Sequence, residues 1–302
     1  MERRGLDVAA VSRFLRDRYG SVDGVHPLEG GAWSTAFGFT AGTRALVARF
    51  GDHIEDYEKD QMASAWARPQ LPVPPVHEVG EAFGGVFAVS ERMTGDHLDG
   101  LPPERMSRAI SALLETLLAL ESVALPGDGY GGWLAPAGHA SHDSWREFLL
   151  CVPDRDDVRI QGWREGLDAD PHARQVFGDA QRRLEQVVHH CPDRRQVIHG
   201  DLLAGNILVD ADDRVSGVLD WANSLAGDAL YDYAWLIFWA PWHPGLDAAS
   251  VRRRTAAGHG DDLDKRLLAY QLQIGLDTMQ YQAFAGLADD LAATARHVRD
   301  LL

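Results

Sequence analysis

Between positions 198 and 221 the chain reads Ile198-His199-Gly200-Asp201-Leu202-Leu203-Ala204-Gly205-Asn206-Ile207-Leu208-Val209-Asp210, and then Val218-Leu219-Asp220-Trp221. Asp201, Asn206 and Asp220 offer two carboxylates and a carboxamide within twenty residues. Hard cations such as Mg²⁺ are held by oxygen donors of this kind together with substrate phosphates. A plain β-hairpin with polar turns would use similar letters, so the order and spacing have to carry the chemical reading.

The elements around these residues predict how they meet. Val197-Ile198 and Ile207-Leu208-Val209 are short β-branched and aliphatic runs, residues 210–214 form a turn, and residues 215–219 are a second short strand. On that reading Asp201 and Asn206 face each other across one loop, and Asp220 emerges where the second strand ends. Upstream, Gly30-Gly31 allow close backbone approach, and Ser34 and Thr35 add hydroxyl donors, so this loop could lie over phosphates. Residues 8–19 read as an amphipathic helix, 44–50 as a strand, 54–68 as a helix, and 76–80 and 85–90 as strands. Residues 105–121 carry Met106, Ala109, Ile110, Leu113, Leu114 and Leu117 at helical spacing and form a core helix. Residues 127–142 read as a Gly- and Pro-rich loop, 154–171 as a charged, poorly patterned stretch, and 177–190 as a helix.

Asp, then Asn five residues later, then Asp after a hairpin resembles the protein-kinase arrangement. His199-Gly200-Asp201 and Asp220-Trp221 resemble the aminoglycoside phosphotransferase family in particular. The resemblance implies an α+β, bilobal, protein-kinase-like fold: an antiparallel sheet plus helix, then a larger, mainly helical lobe. It places a hinge at about 90–95, between a nucleotide-binding lobe (1–94) and a catalytic and acceptor-binding lobe (95–302). It also implies that Asp201 takes the acceptor hydroxyl's proton, that Asn206 and Asp220 hold Mg²⁺, and that ATP or GTP is the donor. Arg49 stands where kinases carry a phosphate-pairing Lys, a departure that matters because Arg is planar and bidentate. Asp60 is the favoured partner for Arg49, with Glu58 as the alternative. By the same analogy Ser34 lies over the phosphates, and backbone groups of Glu91 and Met93 meet the base. Gly227-Asp228 resembles the family's helix-starting pair, with Asp228 as a brace rather than a catalyst.

Trp239-Ala240-Pro241-Trp242 and Ile274-Gly275-Leu276-Asp277 look most like the hygromycin B phosphotransferases of this family, a likeness running from the first helix to about residue 284. Trp239 and Trp242 could present flat faces to sugar rings, although core packing explains them equally, and Asp277 could meet an ammonium. Asn223 stands where these enzymes tend to carry an acidic residue, a departure that puts hygromycin itself in question. The alternatives are a kinase for another acceptor (a peptide antibiotic, a choline-like amine or a sugar), a non-catalytic nucleotide-binding module, or a metal-dependent hydrolase.

Bulk properties agree with a small-molecule enzyme. The chain has 302 residues, enough for two lobes. Its net charge of −16 suits a cationic acceptor and argues against nucleic acid, which needs a basic surface. Cys151 and Cys191 are too few and too distant for a disulfide framework, and they read as reduced, cytoplasmic thiols. His189, His190 and His199 lack the spacing of a zinc site, and His199 reads as a brace for the loop. No run is apolar and long enough to span a membrane. A monomer or weak dimer is expected.

Overall fold

The computed structural model describes the chain except residues 1–5, 29, 30, 32, 155–157, 204, 257–259 and 261. Glu29 and Gly30 of the expected glycine loop, and part of the 154–171 stretch, therefore lie outside the described residues. In chain order the elements begin with α1 (Val8–Tyr19), β1 (Val22–Pro27), β2 (Thr35–Ala41), β3 (Arg44–Gly51), α2 (Ile54–Ser64), β4 (Val76–Ala82), β5 (Gly85–Glu91) and β6 (Asp96–His97). They continue with α3 (Pro103–Glu121), β7 (Tyr130–Leu134), β8 (His139–His142), α4 (Trp145–Leu150), α5 (Trp163–Asp168), α6 (Pro171–Val187), β9 (Gln196–Ile198), β10 (Ile207–Val209), β11 (Val215–Val218) and β12 (Leu225–Gly227). The chain closes with α7 (Leu230–Trp239), α8 (Ala248–Ala256), α9 (Leu263–Ala285) and α10 (Ala288–Asp300). No described helix is long and apolar enough to cross a membrane.

Two compact units result: Met1–Leu101 with Leu134–Pro136 and Leu203–Asn223, and Pro102–Trp133 with Ala137–Leu202 and Ser224–Leu302. The first thus takes in the hairpin at 203–223, beyond the single boundary expected near residue 95. The reason is pairing: β10 runs antiparallel to β6, and the Val218 N–H donates to the Pro72 carbonyl at 2.8 Å.

In the first unit an antiparallel sheet of order β1-β2-β3-β5-β4 alternates its side chains between two faces. Phe87 and Val89 of β5 join Val11 and Leu15 of α1 in one core, with Phe37, Phe39 and Phe50. Val86 and Ala88, one residue out of phase, meet Tyr57 of α2. One strand thus serves two helices. The helix expected over 54–68 stops at Ser64, short of the Arg68–Leu71 bridge that encloses Pro69.

The second unit surrounds α9, which buries Ala269, Tyr270, Leu272, Gln273, Ile274, Gly275 and Leu276 and so shows no single apolar stripe in its sequence. A four-stranded sheet of order β8-β7-β12-β9 lies in the same unit. Residues 127–142, expected as a loop, supply β7 and β8. Their glycines hide any strand alternation, and β12 provides the pairing partner for Gly131 and Gly132. The Arg195 guanidinium fixes the flanking turns, donating to the carbonyls of Leu125, Pro126, Asp128, Gly129 and Gly138.

Gly227 packs directly on the indole of Trp145, which is fully buried and stacked on Phe148. A Cβ at 227 would sit 2.5 Å from that ring. Gly227→Ala should therefore destabilise the protein by about 1–3 kcal/mol, read as a lower urea midpoint. An unchanged midpoint would show that the ring moves freely.

Candidate active site

Three charged side chains meet in the first unit. Arg49, on the central strand β3, pairs through one guanidinium nitrogen with the Asp60 carboxylate of α2, and its other terminal nitrogen lies 4.0 Å from Asp220 Oδ2. Asp60, not Glu58, makes this pair; its side chain is 7% exposed, so the ion pair is shielded from solvent screening. The Arg49 guanidinium also lies over the Tyr57 ring, 5.1 Å from its centroid. A planar cation is held well by a ring face and a carboxylate together, which an ammonium exploits less fully. Burial pushes the Tyr57 hydroxyl up to about 12, so the ring stays neutral beneath the cation.

Asp60 has a second duty. Its Oδ1 accepts the Trp221 N–H at 2.9 Å, while Oδ2 faces Arg49. Trp221 is 1% exposed, crossed edge-on by Trp66, and its Nε1 donates to the Val218 carbonyl. The residue before it, Asp220, has φ +59, a left-handed conformation that costs a non-glycine residue about 1–2 kcal/mol. That turn leaves the Asp220 carboxylate 43% exposed, beside rather than locked onto Arg49.

Asn206 stands at the same end of the β10–β11 hairpin. Ile207 opposes Val218, and the Leu219 N–H donates to the Asn206 carbonyl at 2.8 Å. Gly205, just before it, is gripped from both sides: Asp99 accepts its N–H and His97 Nδ1 donates to its carbonyl. Asn206 and Asp220 thus stand near the same end of the hairpin, an amide and a carboxylate of the kind that can hold a hard divalent cation. Among the described residues no three His, Cys, Asp or Glu side chains gather as a metal site.

Asp201 belongs to the second unit, where Asp232 holds the backbone leading to it. The Asp232 carboxylate is fully buried on α7 and accepts the His199 N–H at 2.8 Å and the Gly200 N–H at 2.9 Å. Gly200, at φ +76, turns its N–H toward this carboxylate without side-chain strain. The His199 ring is buried, and its Nδ1 accepts the Asp201 N–H at 3.3 Å. Asp228 is a further brace: its buried carboxylate accepts from Arg266 and Tyr270 of α9.

The other expected residues fall as follows. Ser34 is half-buried immediately before β2. Glu91 ends β5; its N–H donates to the Pro75 carbonyl, and its side chain meets His77 at 2.9 Å. Met93 packs over Gly217 of β11. Trp239 and Trp242 lie together, ring centroids 5.2 Å apart, in a cluster with Phe238 and His297. Packing therefore accounts for much of Trp239, whereas Trp242 remains 38% exposed. Asp277 is half-buried on α9, and Asn223 is exposed at the end of the first unit's last segment.

Tyr57, Lys59, His97, Asp99 and Asp232 were not singled out from sequence. For Asp232 a signal existed: a lone carboxylate in the run Leu230–Trp239, otherwise apolar and aromatic, needs buried donors. Lys59, His97 and Asp99 act through contacts with the backbone of distant segments, and Tyr57 through its ring, which no local pattern records.

A family model described as "Phosphotransferase enzyme family" matches residues 24–269. Hygromycin-B 4-O-kinase of Escherichia coli is 28% identical over 296 residues, covering 97% of this chain and 84% of that protein. A thermostable mutant of aminoglycoside phosphotransferase APH(4)-Ia, solved with AMP-PNP and hygromycin B, superposes with a TM-score of 0.85 at 28% identity, covering 97% of each chain. The GDP complex of wild-type aminoglycoside 2'-phosphotransferase-IIIa, at 15% identity and a TM-score of 0.68, shares the fold over 98% of each chain.

Burial, opposed by the two N–H donors, raises the Asp232 carboxyl from 3.8 to about 7. The native state therefore binds this proton more tightly than the unfolded chain. The resulting stabilisation is complete below about pH 4 and is lost as pH rises through about 7. The stability difference between wild type and Asp232→Asn should thus shrink from pH 4 to pH 7 and level off above it, as urea midpoints would record. A difference flat across that window would contradict the raised value.

Proposed function

The chain belongs to the phosphotransferase enzyme family, and from that premise we propose that it moves the γ-phosphoryl group of ATP or GTP to a hydroxyl of hygromycin B or a closely related cationic aminoglycoside. The observation that carries this reading is the Arg49–Asp60–Asp220 cluster, in a chain that keeps Asp201, Asn206 and Asp220 in order. The 97% coverage by hygromycin-B 4-O-kinase and by the APH(4)-Ia complex supports the choice of acceptor. Phosphoryl transfer of this type is mostly positioning and charge neutralisation, because its transition state is loose.

In this mechanism Asp201 orients the acceptor hydroxyl and takes its proton as the new O–P bond forms. The bond from γ-phosphorus to the bridging oxygen breaks, and the nucleoside diphosphate leaves. An ordinary carboxylate suffices, since the alcohol becomes acidic only late in the transfer. Asn206 and Asp220 would hold Mg²⁺, which when bound would neutralise charge on the phosphates. Arg49, pre-oriented by Asp60 and Tyr57, pairs with phosphate oxygens, and Ser34 supports them. The Glu91 carbonyl and the Met93 N–H address the base. Trp242, with Trp239 behind it, and Asp277 serve the acceptor. The reaction belongs in the cytoplasm, where the nucleotide is.

A second acceptor class is kept open by one residue. Asn223 is exposed and uncharged, so it contributes no attraction for a polycation.

A panel of hygromycin B, other aminoglycosides, a peptide antibiotic, a choline-like amine and a simple sugar, assayed with radiolabelled ATP, should show label on hygromycin B. Label only on another class would replace the acceptor, and turnover with none would leave a nucleotide-binding module. Asp201→Ala should lower kcat about 10²–10⁴-fold with nucleotide affinity retained in calorimetry; normal turnover would remove Asp201 from the mechanism. Arg49→Lys should raise the nucleotide KM and leave the acceptor KM alone, because an ammonium cannot fill the ring-and-carboxylate seat. An unchanged nucleotide KM would show that any cation serves.

A further inference from the structure

Lys59 is among the few charged side chains of this protein that are buried, at 6% exposure. A lysine is rarely buried without a specific partner. Here the ammonium donates to the Ala222 carbonyl at 2.8 Å, across a sequence separation of 163 residues. Ala222 is two residues beyond Asp220, on the far side of the left-handed turn.

That turn is tied at three places. Before it, the Leu219 N–H donates to the Asn206 carbonyl; within it, the Trp221 N–H donates to Asp60; after it, Lys59 holds the Ala222 carbonyl. A non-glycine residue stays at φ +59 only when its surroundings over-determine it. Two of the three ties come from adjacent residues of α2. An ammonium is well suited to the third, since it brings donors only and a stem long enough to span from helix to loop.

We infer that Lys59 is a positioning residue for the metal-binding carboxylate: by fixing the Ala222 peptide it keeps the Asp220 turn left-handed and its carboxylate aimed. This rests on the reading of Asp220 as a ligand of the Mg²⁺–nucleotide. Simple electrostatics predicts the reverse of positioning. Removing the Lys59 charge leaves the neighbourhood of Asp60 and Asp220 more negative, which alone would tighten cation binding. Relaxation of the turn loosens it, as loss of a group that orients a metal ligand typically does by about 10–100-fold.

The test measures Mn²⁺ affinity by electron paramagnetic resonance, on the full chain with a non-hydrolysable ATP analogue present. Lys59→Met should weaken Mn²⁺ binding about tenfold or more and speed hydrogen exchange at the Trp221 N–H. Lys59→Arg, which restores a long donor, should recover most of the affinity. Should Lys59→Met not fold, Lys59→Gln, whose amide is too short for the same span, should show the same loss. Unchanged or tighter Mn²⁺ binding in the Met or Gln variant overturns the inference. Asp220→Asn separates the two levels: if it too leaves Mn²⁺ affinity unchanged, the metal reading itself fails; if it alone weakens binding, only the role of Lys59 does.

Discussion

Asp60 accepts the Trp221 N–H with one oxygen and faces Arg49 with the other. Through that one carboxylate the cation on β3 and the turn bearing Asp220 are set relative to each other. The pair is shielded, and the backbone donor is committed to the carboxylate, so neither contact is readily exchanged for water. Helix α2 can do this because Val86 and Ala88, on the second face of the sheet, receive Tyr57 and seat the helix against β5. Core packing and site geometry are thus consequences of the same alternation along one strand.

The second unit uses the same device on another loop. Asp232 receives the N–H groups of His199 and Gly200, so the backbone entering Asp201 is fixed by a buried carboxylate rather than by sheet pairing alone. In both units an acidic side chain on a helix satisfies loop donors that would otherwise be buried unpaired, which is costly. Loops that carry chemistry cannot satisfy themselves by regular ladders, and a helix carboxylate is an economical substitute.

The departures from the kinase pattern form a consistent set. Arginine on β3 is longer than lysine and planar, aspartate on α2 is shorter than glutamate, and Tyr57 supplies a face on which the guanidinium lies. Each substitution alone would disturb the pair; together they keep a cation in a defined orientation. The two tryptophans of one motif differ in exposure: Trp239 packs against Trp235, Phe238 and Trp242, while Trp242 keeps an exposed face.

What the sequence by itself determined is local. The HGD loop, the Asn five residues on, the hairpin leading to Asp220, the amphipathic α1 and α3 and the strands β3, β4 and β5 all follow from spacing and periodicity, because these are short-range properties of the backbone. The fold class followed from the family resemblance that these residues carry. What the tertiary structure alone decided is which side chain meets which distant peptide. It set Asp60 over Glu58 against Arg49, Lys59 on Ala222, His97 and Asp99 around Gly205, and Asp232 beneath the Asp201 loop. It also made strands of residues 130–134, whose glycines leave no alternation to read, and of residues 139–142, by pairing the first with β12 and the second with the first. Such contacts join segments up to 163 residues apart. Their energy comes from burial and donor–acceptor matching that exist only once the chain has folded, so no local pattern of letters encodes them.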